Sequence, residues 1–311
     1  MPKNIRIGTR GSALALAQTR WVESQLHLRH PDLTTELVTI KTTGDKLKDV
    51  PLAQVGGKGL FIKEIEEALL AGEVDLAVHS LKDMPAEIPP GCVLGAVPSR
   101  EDCRDAFISR HYLSLGEIPA GGRVGTGSLR RKVQILHRHP DLEVVGLRGN
   151  VDTRLRKLES EGLDAIILAA AGLNRLGLGH IIQEHLSATE MLPAIGQGAL
   201  GLEVRENDQD MLRLLEPLNH YPTQVAVTAE RSFLARLEGG CLIPVAALGR
   251  LEDDTLTLEA LISDLEGKRL LQDRLAGPPG EAQALGRRLA EMLLERGGAK
   301  ILQEIYGRPF A

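Results

Sequence analysis

Short apolar runs alternate with longer amphipathic segments along the first two thirds of the chain. The run Ile5–Ile7 predicts a strand, and the Ala/Leu-rich stretch after Ser12, a favourable N-cap residue, predicts a helix. The same order recurs later, with a strand through Val124, a turn at Thr126–Ser128 and a further helix. We interpret the two segments as corresponding positions in two similar domains.

A second pair of segments supports this internal similarity. The first has a helix over about Leu60–Leu70, a buried strand at Leu76–Val78 and a polar turn with Lys82 and Asp83. The second has a helix, a glycine and a buried strand at Ala165–Leu168. Both are βαβ pieces, which predict a mostly parallel sheet with helices on its faces.

Ligands of such sheets collect beyond the carboxyl ends of the strands. Five charged residues of this chain fall at those predicted ends: Arg10, Asp83, Arg130, Arg148 and Arg175. The pattern therefore predicts a ligand site at that edge of each sheet.

The last third of the chain has a different pattern. A helix after Tyr221 is followed by the alternating segment Thr255–Ser263 and the strand-like Arg269–Leu275. An amphipathic helix over about Ala282–Arg296 comes last. The order predicts a small α+β domain, with domain boundaries near positions 98 and 220.

Composition narrows the class of protein. With 311 residues, 43% of them hydrophobic and 3% aromatic, the chain is typical of a soluble α/β protein of two or three domains. The net charge of -5 argues against general affinity for nucleic acid or anionic membranes. Three cysteines without a CxxC pair predict neither a disulfide framework nor a metal site, and they fit a reducing cytosol. No apolar run is long enough to span a bilayer or indicates export.

One segment is strongly basic in spite of the acidic total. Between positions 123 and 157 nine Lys and Arg face three Asp and Glu, and arginine suits a bidentate grip on carboxylate or phosphate. Arg130 and Arg131 follow a Gly/Ser turn and Arg148 ends a strand, so these three predict anion binding. Three others, Arg138, Arg156 and Lys157, fit a solvated helix face. A small polyanion in a cleft between two domains is favoured over nucleic acid.

Several residues keep two interpretations when they are considered alone. The loop from Lys46 to Gly59, which contains Lys58, is either a mobile lid or a plain surface loop. Asp83 is either catalytic or part of a salt bridge or cap, and His79 fits a hydrogen-bonded core histidine. Cys241 follows two glycines at a predicted tight corner, where it could be filler, ligand or nucleophile.

Long motifs then identify a family. The stretches VGGKGLFIKEIEEALLAGEVDLAVHSLKDMP, VGTGSLRRKVQ, LRGNVDTRL, LPAIGQGALGLEVR and ERSFLARLEGGCLIPVA closely resemble the porphobilinogen deaminase, or hydroxymethylbilane synthase, family. The resemblance runs from Ile5 to about Tyr306. It implies two doubly wound α/β domains like those of type II periplasmic binding proteins, with two crossings between them, plus a small α+β C-terminal domain. The implied ranges are 1–98 with 199–216, then 104–192, then 221–311.

The resemblance also implies a transferase and its chemistry. Porphobilinogen is a pyrrole with acetate, propionate and aminomethyl groups, and it loses ammonia to give an electrophile that the growing chain attacks. Four units are added to a dipyrromethane cofactor, and hydrolysis then releases linear hydroxymethylbilane for tetrapyrrole biosynthesis. In the family the enzyme assembles this cofactor from its own substrate and holds it by a thioether, which assigns Cys241 as the anchor.

The family motifs assign further roles by position. The catalytic carboxylate is Asp83. The cofactor-binding residues are Cys241, Asp83, Lys82, Thr126, Ser128, Arg130 and Arg131. The substrate-binding residues are Arg10, Ser12, Arg148, Arg154, Arg175 and Lys58. No metal is implied.

The implied partners are porphobilinogen and the next tetrapyrrole enzyme, which receives the product, with no nucleic acid and no membrane. The expected form is a cytoplasmic monomer. Two other functions stay open from the residues alone. A small-ligand binding module would share the cleft and the arginines but has no use for a thiol anchor, and a cysteine hydrolase needs a base beside Cys241.

Overall fold

A computed structural model describes residues 2–46, 62–238 and 243–308. The chain divides into two compact units. Unit 1 comprises Met1–Glu101 with Ala199–Gln224, and unit 2 comprises Asp102–Gly198 with Val225–Ala311. Strands and helices are numbered below in chain order.

Unit 1 is built on a five-stranded sheet with the order β2-β1-β3-β10-β4. The strands are β1 (Asn4–Thr9), β2 (Thr34–Thr39), β3 (Leu76–Ser80), β4 (Cys92–Ala96) and β10 (Leu200–Arg205). The helices are α1 (Ala13–Arg29), α2 (Thr43–Lys46), α3 (Lys63–Leu70) and α7 (Gln209–Leu215). Apolar side chains of the sheet, α1 and α7 form the core, among them Ile7, Leu26, Val78, Leu202 and Leu214.

Unit 2 contains a second five-stranded sheet with the order β7-β6-β8-β5-β9. Its strands are β5 (Asp105–Ser109), β6 (Arg123–Thr126), β7 (Glu143–Gly146), β8 (Ala165–Ala169) and β9 (Glu184–Leu186). The helices beside it are α4 (Leu129–Arg138), α5 (Val151–Ser160) and α6 (Ala170–Arg175). Separate apolar clusters include Phe107 and Ile135 in one and Ile166 and Leu173 in the other.

The two sheets have the same topology, and this confirms the internal similarity predicted from the sequence. In each sheet one strand, β10 or β5, runs antiparallel to both of its neighbours, whereas the pairings β2-β1-β3 and β7-β6-β8 are parallel. The prediction of mostly parallel α/β sheets is therefore confirmed. A strand that returns against its neighbours begins at the edge where they end, so β5 brings its first residue to the carboxyl end of β8.

The rest of unit 2 is an α+β layer around an antiparallel three-stranded sheet. It consists of β11 (Val245–Glu252), β12 (Thr255–Ser263), β13 (Leu270–Gly277), α9 (Ala282–Leu293), α10 (Ala299–Tyr306) and the part of α8 (Tyr221–Arg236) from Val225 onward. The buried Glu230 carboxylate in α8 accepts hydrogen bonds from the backbone N–H groups of Gly196, at 2.6 Å, and Gly249, at 2.8 Å. Glu230 therefore connects β11 with the segment that follows β9, and the division into three domains stays a prediction.

The C-terminal helix has the extent predicted for it, but a further helix follows. α9 continues beyond Leu293 in a π-helical turn, Leu294–Gly298, whose backbone is helical up to Arg296, and α10 comes after this turn. Gly297 in this turn has a φ of 112°, which only glycine adopts without strain. The predicted helix over about Leu60–Leu70 begins at Lys63, after the non-helical N-cap residue Ile62, and Leu60 lies outside the described residues.

Candidate functional site

The carboxyl ends of β1 and β3 are neighbours in the sheet of unit 1. The two strands pair in parallel, with Ile7 opposite Leu76, so the turns that follow them share one edge. These turns carry Arg10, Ser12, Lys82 and Asp83. The predicted site residues of unit 1 are therefore grouped at one edge of the sheet.

The first of these turns caps a helix. Ser12 is the N-cap of α1, and its hydroxyl accepts a hydrogen bond from the Ala15 N–H at 3.2 Å. This satisfies one of the unpaired donors at the helix start, as the sequence predicted. Arg10 lies just before the cap and is partly buried.

Asp83 ends a single 3₁₀ turn, Leu81–Asp83, directly after β3. Two backbone hydrogen bonds hold this turn, from Leu81 N–H to the Ala199 carbonyl at 3.0 Å and from Met84 N–H to the Leu81 carbonyl at 3.1 Å. Leu81 and Met84 are buried, whereas Lys82 and Asp83 are partly exposed. The turn thus presents the two charged side chains from a fixed backbone.

In unit 2 the turn after β6 leads into α4. Thr126 is buried, and its hydroxyl accepts a hydrogen bond from the Ser128 N–H at 3.3 Å. A side chain at Gly127 would overlap the carbonyl oxygen of Leu147, so the tight turn requires glycine there. The first turn of α4 contains no acidic residue. Its free N–H groups and the helix dipole therefore favour an anion.

Arg130 and Arg131, at the start of α4, are buried and bind one buried carboxylate, Asp105. Arg130 Nη1 lies 2.7 Å from Asp105 Oδ2, and Arg131 Nη2 lies 2.8 Å from Oδ1. The Gln197 side chain also donates a hydrogen bond to Asp105 Oδ1, at 2.9 Å. Further bonds run from Arg130 to the Leu192 carbonyl and from Arg131 to the Ile167 carbonyl. The two predicted anion-binding arginines are thus part of a buried ion network.

The charges of this network are strongly coupled. Burial disfavours the charged form of Asp105, but the two guanidinium groups outweigh it and hold the pKa of Asp105 well below its usual range. Burial lowers the pKa of Arg131 to about 10, and the charge of Asp105 opposes that shift. Two cations face one anion here, so the network carries a net positive charge.

One donor of the network is unsatisfied. The Nε–H of Arg130 is buried and has no hydrogen-bond partner among the described residues. Buried donors are nearly always paired in native proteins. An unused donor beside a positively charged helix start fits a bound carboxylate, because the carboxylate would satisfy the donor and balance the charge.

Three further predicted arginines lie near the carboxyl ends of the same sheet or on the helices that follow. Arg148 is partly buried in the turn between β7 and α5. Arg154 Nε donates to the Gly149 carbonyl at 2.7 Å, and Arg175 Nη2 donates to the Gly198 carbonyl at 2.8 Å. The parallel order β7-β6-β8 brings the turns of Arg148, Ser128 and Arg175 to one edge.

The residues expected on a solvated face behave as predicted. Arg138 and Arg156 are exposed, and Lys157 forms an ion pair with Glu161 at 3.2 Å on the surface of α5. His79 is a buried histidine whose Nε2 lies 2.9 Å from Glu203 Oε2, in agreement with the expected core role.

Two predicted site residues, Lys58 and Cys241, lie outside the described residues, as does almost all of the candidate lid from Lys46 to Gly59.

Within the described ranges, no group of three or more His, Cys, Asp and Glu side chains is arranged to hold a metal ion. In the same part of the chain, no helix combines the length and apolarity needed to cross a membrane.

Asp105 and Gln197 were not found from the sequence. In the sequence Asp105 only precedes the short apolar run AFIS. Its position follows from the antiparallel direction of β5, because Asp105 pairs with Ala169 at the carboxyl end of β8. A prediction of that direction would have placed Asp105 at the ligand edge.

Comparison with known proteins gives consistent matches along the chain. Residues 5–213 match the family model described as "Porphobilinogen deaminase, dipyromethane cofactor binding domain", and residues 224–295 match "Porphobilinogen deaminase, C-terminal domain". Two relatives named porphobilinogen deaminase are those of Syntrophotalea carbinolica, 55% identical over 96% of this chain and 95% of the relative, and Trichlorobacter lovleyi, 54% identical over 100% and 99%.

Among solved structures, a putative methionine-binding lipoprotein of Bacillus subtilis is similar at 14% identity and a TM-score of 0.43. That similarity covers 70% of this chain and 90% of the lipoprotein.

Proposed function

The chain belongs to the porphobilinogen deaminase family, and from this membership we propose the reaction that its residues carry out. The protein is a transferase that deaminates porphobilinogen and joins four of the resulting units head to tail on a dipyrromethane primer. Hydrolysis then releases linear hydroxymethylbilane for tetrapyrrole biosynthesis.

The observation that supports this function best is the cationic edge of the second sheet. Each unit of the growing chain carries two carboxylates, so an extended intermediate needs several fixed cations. Arg130 and Arg131 are held by Asp105 in a network with a net positive charge, and the Arg130 Nε–H is left without a partner. A rigid network of this kind orients its donors before the anion arrives, which lowers the entropy lost on binding.

Four residues at this edge, Thr126, Ser128, Arg130 and Arg131, fit the dipyrromethane group. In our proposal they bind the carboxylates of the cofactor together with Lys82 of unit 1, and Cys241 holds the cofactor through a thioether. The tight turn at Gly127 and the free N–H groups of α4 support this assignment. When bound, the cofactor supplies the free α-carbon to which the first substrate unit is joined.

Asp83 is the proposed catalytic residue. Its partly exposed carboxylate stands on a turn with fixed backbone beside Lys82. There it offsets the positive charge that develops on the substrate as ammonia leaves, and it accepts hydrogen bonds from pyrrole N–H groups. A preorganised carboxylate stabilises this charge without reorganising during the reaction.

The proposed substrate-binding residues are Arg10, Ser12, Arg148, Arg154, Arg175 and Lys58. Arg10 and Ser12 share the edge of β1 and β3 with Asp83, and Arg148 and Arg175 share the edge of the second sheet. We further propose three domains over 1–98 with 199–216, 104–192 and 221–311. The protein acts as a monomer in the cytoplasm and passes its product to the next tetrapyrrole enzyme.

Intact mass measurement under denaturing conditions, followed by peptide mapping, tests this function. Purified protein is expected to carry an adduct of two linked pyrroles on Cys241, and Cys241→Ser is expected to lose both the adduct and elongation. Cys103→Ala is the matched control, because this partly exposed cysteine has no proposed anchoring role and its replacement should keep both. Fully active protein with an unmodified Cys241 would refute the assignment.

A further inference from the structure

A buried glutamine in α4 holds a backbone segment that contacts Arg130. Gln134 lies one helical turn after Arg130, and the two residues are 5% and 4% exposed. Gln134 Oε1 accepts a hydrogen bond from the Leu192 N–H at 2.7 Å. Its Nε2 donates to the carbonyl oxygens of Leu192, at 3.1 Å, and of Arg130, at 3.2 Å. Both amide hydrogens and the amide oxygen of Gln134 are thus bonded to backbone groups.

These bonds hold Leu192, a residue that belongs to neither a helix nor a strand. Gln134 pairs with both the N–H and the carbonyl of Leu192, as a neighbouring strand would. Pro193 restricts the backbone of the residue before it, and the Leu192 side chain packs with apolar residues that include Leu248 and Leu261. The Leu192 carbonyl oxygen is therefore fixed beside α4.

This carbonyl oxygen sets the orientation of the Arg130 guanidinium group. Arg130 Nη1 donates to it at 2.8 Å and to Asp105 Oδ2 at 2.7 Å, and Nη2 donates to Asp105 Oδ1 at 3.2 Å. The two bonds to Asp105 use the end of the guanidinium group, so alone they would let its plane turn about the line to the carboxylate. The bond to Leu192 lies to one side of that line and prevents the turn.

A second edge of the guanidinium group is left for a ligand. The Nε–H of Arg130 has no hydrogen-bond partner among the described residues. In a planar guanidinium group this N–H points to the same side as one hydrogen of Nη2, and two parallel donors match the two oxygens of a carboxylate. Because Asp105 and Leu192 bind Nη1, the direction of the Nε edge is fixed before a ligand arrives.

We propose that Gln134 is a positioning residue for cofactor attachment: it fixes the Leu192 carbonyl, which directs the Nε edge of Arg130 toward a carboxylate of the cofactor. The inference rests on the proposed function, in which Arg130 binds the dipyrromethane group. The amide of Gln134 is bonded to backbone groups, so its effect on the cofactor passes through Arg130. A merely structural Gln134 would have an effect that does not depend on Arg130.

A double-mutant cycle on the rate of cofactor attachment tests this dependence. Full-length protein is produced without a supply of porphobilinogen and then mixed with it, and the adduct on Cys241 is followed by intact mass. Gln134→Met keeps the side-chain volume but removes all three bonds. Arg130→Lys keeps a positive charge beside Asp105 but removes the planar edge.

Each single variant should slow attachment about tenfold, the size expected when one hydrogen bond to a charged group is misdirected. When Arg130 is already lysine, Gln134→Met should slow attachment by less than about twofold more, because the edge that it positions is gone. Two effects that multiply in the double variant would overturn the proposal.

Gln183→Met is the matched control. Gln183 Oε1 accepts a hydrogen bond from the Ser109 N–H at 2.9 Å, at the opposite end of β5 from Asp105. The same substitution removes a comparable bond to backbone there, and the attachment rate should stay at the wild-type value. A loss equal to that of Gln134→Met would show a general effect of destabilisation and overturn the proposal.

Gln134→Glu keeps the test decisive if Gln134→Met does not fold. Glutamate has the shape of glutamine and keeps an acceptor for the Leu192 N–H, but it places an oxygen against the carbonyl oxygens of Leu192 and Arg130. The displaced Leu192 carbonyl should again slow attachment about tenfold. Attachment at the wild-type rate in this variant would contradict the proposal.

The two hypotheses fail in distinguishable ways. If the wild type acquires no adduct on Cys241, the proposed function fails, whatever the variants do. If the wild type acquires the adduct and the effects of Gln134→Met and Arg130→Lys multiply, the positioning proposal alone fails.

Discussion

The two five-stranded sheets share one topology, yet they use the aspartates at their ligand edges in opposite ways. Asp83 follows β3 on a 3₁₀ turn and is partly exposed. Asp105 starts β5 with an exposure of 0% and accepts bonds from Arg130, Arg131 and Gln197. The same fold can thus leave one carboxylate partly exposed, as the proposed catalytic role of Asp83 requires, and use another to fix cations.

The largest effect on stability is expected from removing the buried charge of Asp105. Asp105→Asn leaves two buried guanidinium groups without a counter-charge, and removing one partner of a buried ion pair typically destabilises by about 3–5 kcal/mol. Chemical denaturation should show this loss in the free energy of unfolding. Glu159→Gln is the control, because Glu159 pairs with Arg110 on the surface at 2.9 Å and such pairs contribute roughly 0–1 kcal/mol.

Wild type and Asp105→Asn differ in their free energy of unfolding, and the pH dependence of this difference follows from the lowered pKa of Asp105. A carboxylate with a depressed pKa in the folded state stabilises fully above its unfolded pKa of ~3.9 and loses this contribution only as the pH falls through the folded value. The difference between wild type and Asp105→Asn should hence stay constant from about pH 8 to about pH 5 and shrink only in acid. A difference that disappears near neutrality would mean that Asp105 is not the shared anion.

The next largest effect concerns catalysis. Asp83→Asn keeps the size and most hydrogen bonding of the side chain but removes its charge, so fold and cofactor loading should persist. Turnover should fall by ~10² to 10³, the usual effect of losing one preorganised electrostatic partner. The rate of porphobilinogen consumption, adduct mass and thermal stability are measured together. Near-normal turnover would return Asp83 to a structural role.

The smallest effects distinguish binding of the anionic chain by specific arginines from its attraction by a diffuse positive field. Arg148→Leu should reduce kcat/KM by a factor of ~10 to 10², or stall elongation at an identifiable intermediate. A loss of this size is expected because a hydrogen bond to a charged group contributes about 1.5–3 kcal/mol. Arg156→Leu, on the exposed face of α5, should change stability by less than about 0.5 kcal/mol and leave elongation intact. Equal losses in both variants would favour a diffuse field.

Features set by local chemistry were predictable from the sequence. The Ser12 cap, the strands before Asp83 and Ser128, and the parallel core of each sheet follow from N-cap preference, short apolar runs and the βαβ order. The solvated character of Arg156 and the core role of His79 were also confirmed.

Features set by distant pairings were not predictable. The direction of β5 depends on its pairing with β8, about 60 residues later in the chain, and no local pattern encodes it. Asp105 was missed for that reason, and the buried state of Arg130 and Arg131 was missed with it. The helix Ala299–Tyr306 was not predicted, because the π-helical turn with its break at Gly297 gives no clear signal in the sequence.

The position of β10 between β3 and β4 shapes how the nascent chain folds. Both neighbours leave the ribosome about 100 residues before β10, because the chain enters unit 2 at Asp102 and returns at Ala199. At ~5–20 residues per second this leaves the apolar edge of β3 unpaired for on the order of ten seconds. An unpaired edge strand is a template for pairing with another chain, so this edge of unit 1 is an aggregation hazard during translation until β10 has left the ribosome and paired with β3.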